Sequence, residues 1–333
     1  MVANLRLDGI STSTIGTFPL EDSETNRKRC IEDLIDIGID FPAYPQLSDM
    51  GKQFLDDLAK QDSGIIATNG KYHLKGKEIN GDVSPPGLEP FFWTLRHLKE
   101  RGIEKKIRLK AAITGPFTLA SYIETKTGTF PSNTALSNRE LVEQLAQVVS
   151  KSCNAAAKEA NMISIDEPIL GVIIGARMPP GYREDDIISI YNQIKGNCKG
   201  KITGTHICGR LSPTLAKTLL RTELDFLSHE FYDSPRNIGL YEPKALEENG
   251  KALSIGCVSS KNPNIESPQE ILQFMEKFRD YGDNLVFTPD CGFKNLIVDG
   301  SHEEGYKISI KKLRNMVEAA EKFRVMKKAT DSS

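Results

Sequence analysis

A chain of 333 residues, 39% of them hydrophobic, can bury a full-sized core as one large α/β domain or two small ones, and its net charge of −2 gives no reason to expect a polyanion partner. The basic residues are scattered in short runs, as in RKR near Arg27 and EKK near Lys105, without the interleaved aromatics of a nucleic-acid surface, which excludes nucleic acid from the expectation. No export signal opens the chain, no apolar stretch is long enough for a bilayer, and six cysteines are too sparse for a disulfide scaffold, so the expectation is a cytoplasmic enzyme with reduced thiols.

Short β-like runs alternate with amphipathic helical stretches along nearly the whole chain. Strands are predicted at Ser13–Thr17, Ile39–Ala43, Leu109–Thr114, Met162–Asp166, Ile202–His206, Leu224–Ser228, Leu253–Cys257 and Leu285–Thr288. Helical spacing predicts helices over Thr25–Ile37, Leu88–Arg101, Asn138–Ala160, Glu184–Lys195, Leu211–Leu220, Pro268–Tyr281 and Ile308–Phe323. Eight strands alternating with helices indicate an α/β fold of the (β/α)₈, or TIM, barrel type. An open doubly wound sheet is the rival, but no G-x-G-x-x-G or Walker sequence supports a nucleotide site on one. Residues 62–80, with Asn-Gly-Lys at their centre, read as a β-hairpin inserted before the third barrel strand. The expected organisation is a single barrel over residues 1–325, followed by a polar, frayed tail at 326–333.

In such a barrel chemistry sits on the loops that follow the strands. His206 and Cys208 follow the fifth predicted strand, Glu230 the sixth and Cys291 the eighth, so one imidazole, two thiols and a carboxylate share one rim. That is a tetrahedral zinc set, and its thiols favour zinc over magnesium or calcium. No two of the four form a Cys-x-x-Cys knuckle, which indicates a working metal and not a structural staple. Two thiolates and a carboxylate make an electron-rich centre, poorly suited to generating hydroxide. It suits holding a substrate thiol as thiolate near neutral pH and leaving its sulfur nucleophilic. Asp166 and Glu167 end the fourth predicted strand, and Ile15, Gly16 and Thr17 the first, on the same rim. Cys30, Cys153 and Cys198, on helical stretches, read as core or surface residues, and Cys257, at the end of the seventh strand, as a core residue with lining of the site as the alternative.

Several motifs, in order, resemble the C-terminal catalytic barrel of cobalamin-independent methionine synthase. They are TSTIGTFP at the start, SDM at Ser48, GDVSPP at Gly81, ITGPFTL at Ile113, IDEPIL at Ile165, THICGR around His206, PNIES at Pro263 and PDCG at Pro289. The resemblance implies that His206, Cys208, Glu230 and Cys291 are zinc ligands. It further implies that Asp166 holds the homocysteine amine and that Ile15, Gly16 and Thr17 hold the rest of the amino acid.

The departures are as informative. The chain has no room for the N-terminal barrel that helps the long enzymes hold methyltetrahydrofolate. Val172 stands where those enzymes carry a folate-contacting Glu, Tyr122 aligns with their folate-stacking Trp, and Lys261 with their proton-donating His. Their acidic homocysteine contact aligns within Tyr44–Gln46, which makes Gln46 a candidate contact. Short single-barrel relatives, many archaeal, take methyl groups from methylcobalamin or a corrinoid protein, and this is the donor that the resemblance implies here. The expected function is therefore zinc-dependent methyl transfer from a corrinoid to homocysteine, with a corrinoid carrier protein as a candidate partner. The alternatives are a methylcobamide:coenzyme M methyltransferase, whose segment HICG resembles, and a zinc-stabilised binding barrel without catalysis.

Overall fold

The computed structural model describes residue 7 and residues 9–175 and 178–331. Its strands are β1 (Ser11–Thr12), β2 (Ile65–Thr68), β3 (Lys71–Leu74), β4 (Lys110–Thr114), β5 (Ile123–Glu124), β6 (Met162–Asp166), β7 (Ile202–Ile207), β8 (Phe226–His229), β9 (Ala252–Gly256) and β10 (Leu285–Thr288). Seven of them form a parallel sheet in the order β1-β10-β9-β8-β7-β6-β4. The strand predicted at Ile39–Ala43 closes it, through parallel bridges from Phe41 to Ser13 and from Ala43 to Lys110. The closed ring is the TIM barrel expected from the alternating pattern.

The closing segment makes bridges instead of a continuous ladder, and its sequence, FPAYP, supplies the reason. Pro42 and Pro45 have no N–H to donate. The amides that remain are used: Phe41 N–H donates to the Thr12 carbonyl (3.0 Å) and Tyr44 N–H to that of Lys110 (3.2 Å). Similarly, the first predicted strand is laddered only at Ser11–Thr12, with isolated bridges at Ser13 and Thr17.

The predicted helices are present with shifted ends, and a helix absent from the sequence reading spans Met50–Ala59. The first, Glu24–Ile37, starts where the Ser23 side chain accepts from Asn26 N–H and stops at the left-handed Gly38. The last runs His302–Asp331, so residues 326–331, expected to be a frayed tail, continue the helix; residues 332–333 lie outside the described ones. Among the described residues no helix is long and apolar enough to cross a membrane.

The predicted insertion is an antiparallel hairpin of β2 and β3, turning at Asn69 and Gly70, both with positive φ (50° and 75°). It gains a third strand unseen in the sequence, because β5 pairs with β3.

Two apolar clusters organise the interior. The larger lies mostly between helices and sheet. The smaller joins Leu7 to Phe41, Met162, Ile202, Phe226, Ala252 and Val286, which lie at or near the starts of their strands. It plugs the barrel at that end and leaves the opposite rim for polar residues.

Candidate metal centre and substrate pocket

His206 lies in β7, whose neighbours β6 and β8 pair Asp166 and Ser228 with it in register. Its Nδ1 is 3.0 Å from Ser228 Oγ, and Ser254 Oγ supports that hydroxyl at 3.1 Å. The chain of hydroxyls fixes the ring so that Nε2 faces Cys208 Sγ, also at 3.0 Å. Cys291, in the loop after β10, completes a group in which one ligand atom from each of His206, Cys208 and Cys291 lies within 4.8 Å of the others. One nitrogen and two sulfurs at this separation fit a zinc ion. The Cys208 S–H and the facing His206 hold Cys291 well below the ordinary thiol range, while Cys291 and burial push Cys208 well above it.

Glu230, expected in the same set, falls into an adjoining group with Asp233 and Asp290. Its Oε2 accepts from Gly209 N–H (3.1 Å), one residue beyond Cys208, and its Oε1 from Ser234 Oγ (2.8 Å). Lys261 Nζ bridges both oxygens at 2.8 and 3.0 Å. Burial opposes the charge of Glu230, but these donors outweigh it and hold the carboxyl below its usual range. Lys261, expected to contact donor or substrate, is thus an ion-pair partner of Glu230.

Asp166 is buried at the end of β6, where Ser164 Oγ donates to its Oδ1 at 2.5 Å. Burial pushes its carboxyl up, against the pull of His206 and of Lys110. Lys110 is itself wholly buried, donates to the Thr14 carbonyl at 2.6 Å and is pushed down to about 8.

The first-strand residues lie on the same rim. Ile15 and Gly16 are buried, and the Gly16 carbonyl accepts from Gln46 N–H at 2.9 Å. Gln46 Nε2 is turned toward Tyr44 Oη (3.1 Å) and the Ala112 carbonyl (3.3 Å). Thr17 accepts from Phe293 N–H at 2.8 Å through its carbonyl, which joins it to the Cys291 loop. Tyr122 is 37% exposed and packs over Gly51 beside Asp49; Val172 is 73% exposed.

Two acids shape the site in ways not readable in the sequence: Glu167, which the sequence places with Asp166 at the end of the fourth strand without a partner, and Asp290, which was missed. Glu167 reaches across the rim to accept from Phe117 N–H (2.9 Å), Thr118 N–H (2.7 Å) and Thr118 Oγ1 (2.6 Å), anchoring the start of the helix Pro116–Tyr122. Asp290 accepts from the amides of Phe231 and Tyr232 (both 2.9 Å) and Asp233 (2.6 Å), shaping the loop that begins at Glu230. Both stand beside residues singled out in IDEP and PDCG. An acid at a strand end was the available signal, though its partner was not readable. Ser164, Ser228 and Ser254, small polar residues inside apolar runs, were a second such signal.

A closed parallel barrel with buried acids and a His-Cys-Cys group that could hold a metal ion on its C-terminal rim has the architecture of a barrel enzyme. Residues 31–322 match the family model described as "Cobalamin-independent synthase, Catalytic domain", and the chain belongs to that family of methyltransferases. The methionine synthase of Methanocaldococcus jannaschii is 26% identical over 284 residues, taking in 81% of this chain and 83% of that one. The methionine synthase of Thermococcus kodakarensis is 29% identical over 245 residues, 71% of this chain but 62% of its own, so the match spans less than two thirds of that relative. A solved B12-independent methionine synthase from Shewanella sp. W3-18-1, in complex with selenomethionine, shares the fold with a TM-score of 0.65 at 18% identity, covering 96% of this chain and 99% of that one.

Proposed function

We propose that this chain forms methionine by moving a methyl group from a methylated corrinoid, free methylcobalamin or a corrinoid protein, to the zinc-activated thiolate of homocysteine. The observation that carries the reading is the convergence of His206, Cys208 and Cys291 within 4.8 Å, in a barrel whose neighbouring strand presents the buried carboxyl of Asp166. Zinc bound there supplies a Lewis acid that keeps a substrate thiol ionised near neutral pH.

The rest is work for side chains and backbone. Ser228 orients the His206 ring through Nδ1 and leaves Nε2 for the metal. Asp166, held by Ser164, pairs with the substrate ammonium, and the barrel wall around it excludes water that would screen the pair. Ile15, Gly16 and Thr17, fastened to Gln46 and Phe293, hold the amino-acid end so that its sulfur points toward the metal ligands.

The donor is inferred from what the rim lacks relative to the folate enzymes. A corrinoid leaves with the electron pair of its carbon–cobalt bond and takes up no proton. A folate nitrogen needs one, and at the position aligned with their proton donor this chain has Lys261, engaged by Glu230. The exposed Val172 and half-buried Tyr122 offer apolar surface where folate contacts stood.

The test is anaerobic demethylation of methylcobalamin by the zinc-loaded protein, followed by absorbance with homocysteine or coenzyme M added, beside a parallel assay with methyltetrahydrofolate. Demethylation with homocysteine is the expected result. A response to coenzyme M only would overturn the acceptor and the role of Asp166. Methionine formed from methyltetrahydrofolate but not from methylcobalamin would overturn the donor.

A further inference from the structure

Lys110 is a charged residue at an apolar level of the barrel. It opens β4 and pairs in register with Met162, which belongs to the apolar plug at the strand starts. Packing alone would be met there by a methionine or a leucine, and burying an ammonium is costly. The side chain is nonetheless buried. The backbone of Lys110 serves barrel closure: its N–H donates to the Pro42 carbonyl (2.9 Å), and its carbonyl accepts from Tyr44 N–H (3.2 Å). Closure therefore does not explain the charge.

The ammonium satisfies a carbonyl that the strand ladder leaves open. Phe41 N–H donates to the Thr12 carbonyl, and the next amide of a parallel ladder, Ala43 N–H, belongs on the Thr14 carbonyl. It donates instead to Thr14 Oγ1 at 3.0 Å. Lys110 Nζ takes its place on the carbonyl at 2.6 Å. Ser13 Oγ, 3.4 Å from the same carbonyl, is turned to that of Phe41 at 2.6 Å. The first strand leaves the ladder here and rejoins it where Gln46 N–H meets the Gly16 carbonyl, with Gly16 at a φ of 124°. Between these points the N–H groups of Ile15 and Gly16 have no acceptor among the described residues.

We infer that Lys110 makes the pocket select an acceptor thiol that carries a carboxylate beside its ammonium. The inference rests on the homocysteine reading above and adds to it a positioning residue that does not touch the substrate. Lys110 pins the Thr14 carbonyl inward, and this holds the amides of Ile15 and Gly16 toward the pocket as donors for the substrate carboxylate. The ammonium also balances Asp166, since each favours the charged form of the other. Two fixed charges of opposite sign suit a zwitterion. Asp166 alone would suit a simple cation as well, so the selectivity lies in the lysine.

The test compares calorimetric binding of homocysteine and of the aminopropanethiol that lacks its carboxylate, both to the zinc-loaded protein and without turnover. Wild type is expected to bind homocysteine at least about tenfold more tightly than the aminothiol. Lys110→Met is expected to weaken homocysteine about tenfold and to leave the aminothiol as tight as before or tighter. Zinc affinity, measured by chelator competition, should not change. An equal loss for both thiols would make Lys110 a purely structural residue and overturn the inference, as would an undiminished preference for homocysteine in the variant. Circular dichroism reports folding, and if Lys110→Met does not fold, Lys110→Gln removes the same charge while keeping an N–H for the Thr14 carbonyl. Failure of the homocysteine reading itself looks different: wild type would then bind neither thiol, and this inference would fall with it.

Discussion

A methyl group on Gly292 would lie 1.7 Å from the Thr17 hydroxyl oxygen, so the ends of the first and last barrel strands meet over a residue that has no room for a side chain. The same contact carries the Phe293 N–H bond to the Thr17 carbonyl (2.8 Å) and brings the Cys291 loop beside the segment Ile15–Thr17. Gly292→Ala must push the two loops apart. The expected cost is about 1–3 kcal/mol, as for other overpacked sites, together with weaker zinc binding because Cys291 moves with the loop. Thermal unfolding and chelator competition on the same variant check both.

The metal reading predicts a graded response from ligand to support. Cys291→Ser removes a thiolate and should abolish stoichiometric zinc binding. Ser228→Ala leaves all three ligands but frees the His206 ring, and the expected loss is about tenfold in zinc affinity. Equal affinities in the two variants would contradict the role of the hydroxyl at 3.0 Å.

Asp166→Asn keeps the size of the side chain and removes its charge. A charge-assisted hydrogen bond to the substrate ammonium is worth about 1.5–3 kcal/mol, so KM for homocysteine should rise roughly 10- to 100-fold while zinc content stays the same. An unchanged KM would remove Asp166 from the substrate pocket.

Burial pushes Glu167 up to about 8, against the three donors at Phe117 and Thr118. In the unfolded chain this carboxyl releases its proton near its ordinary value of 4.5, whereas the folded protein keeps it until about pH 8. Between these values the folded state binds the extra proton, so the contribution of Glu167 to stability is full below the lower value and is lost as pH rises through the upper one. The slope is at most about 1.4 kcal/mol per pH unit. Urea unfolding at pH 5.5 and 8 should show wild type losing stability with pH and Glu167→Gln losing less. Parallel behaviour of the two proteins would exclude the acid as a source.

Much of this molecule was readable locally. The alternation of β-like and helical runs, the Asn69–Gly70 turn and the polar residues at strand ends are short-range signals, and each has a counterpart in the barrel. The segment Ile39–Ala43 also carried its own explanation, since its prolines limit it to bridges. What escaped were partners. Glu167 was legible as a strand-end acid on the rim but not in its role, because nothing near it in sequence announces Thr118, which lies 49 residues away. Gly115 belongs to that contact as well, since a Cβ there would meet Glu167 Oε1 at 2.2 Å. The third strand of the hairpin sheet, β5, was invisible for the same reason: two residues hold no period.

By itself the sequence determined the barrel class, the rim on which the chemistry lies and the residue types that suit a soft metal, because periodicity and donor chemistry are properties of neighbouring residues. Only the tertiary structure decided which of those residues share a volume. Closure of the barrel brings His206, Cys208 and Cys291 together, and it sets Lys261 on Glu230 across a gap of 31 residues in sequence. A carboxylate is equally able to bind a metal or an ammonium, so its assignment depends on which cation the fold holds within reach.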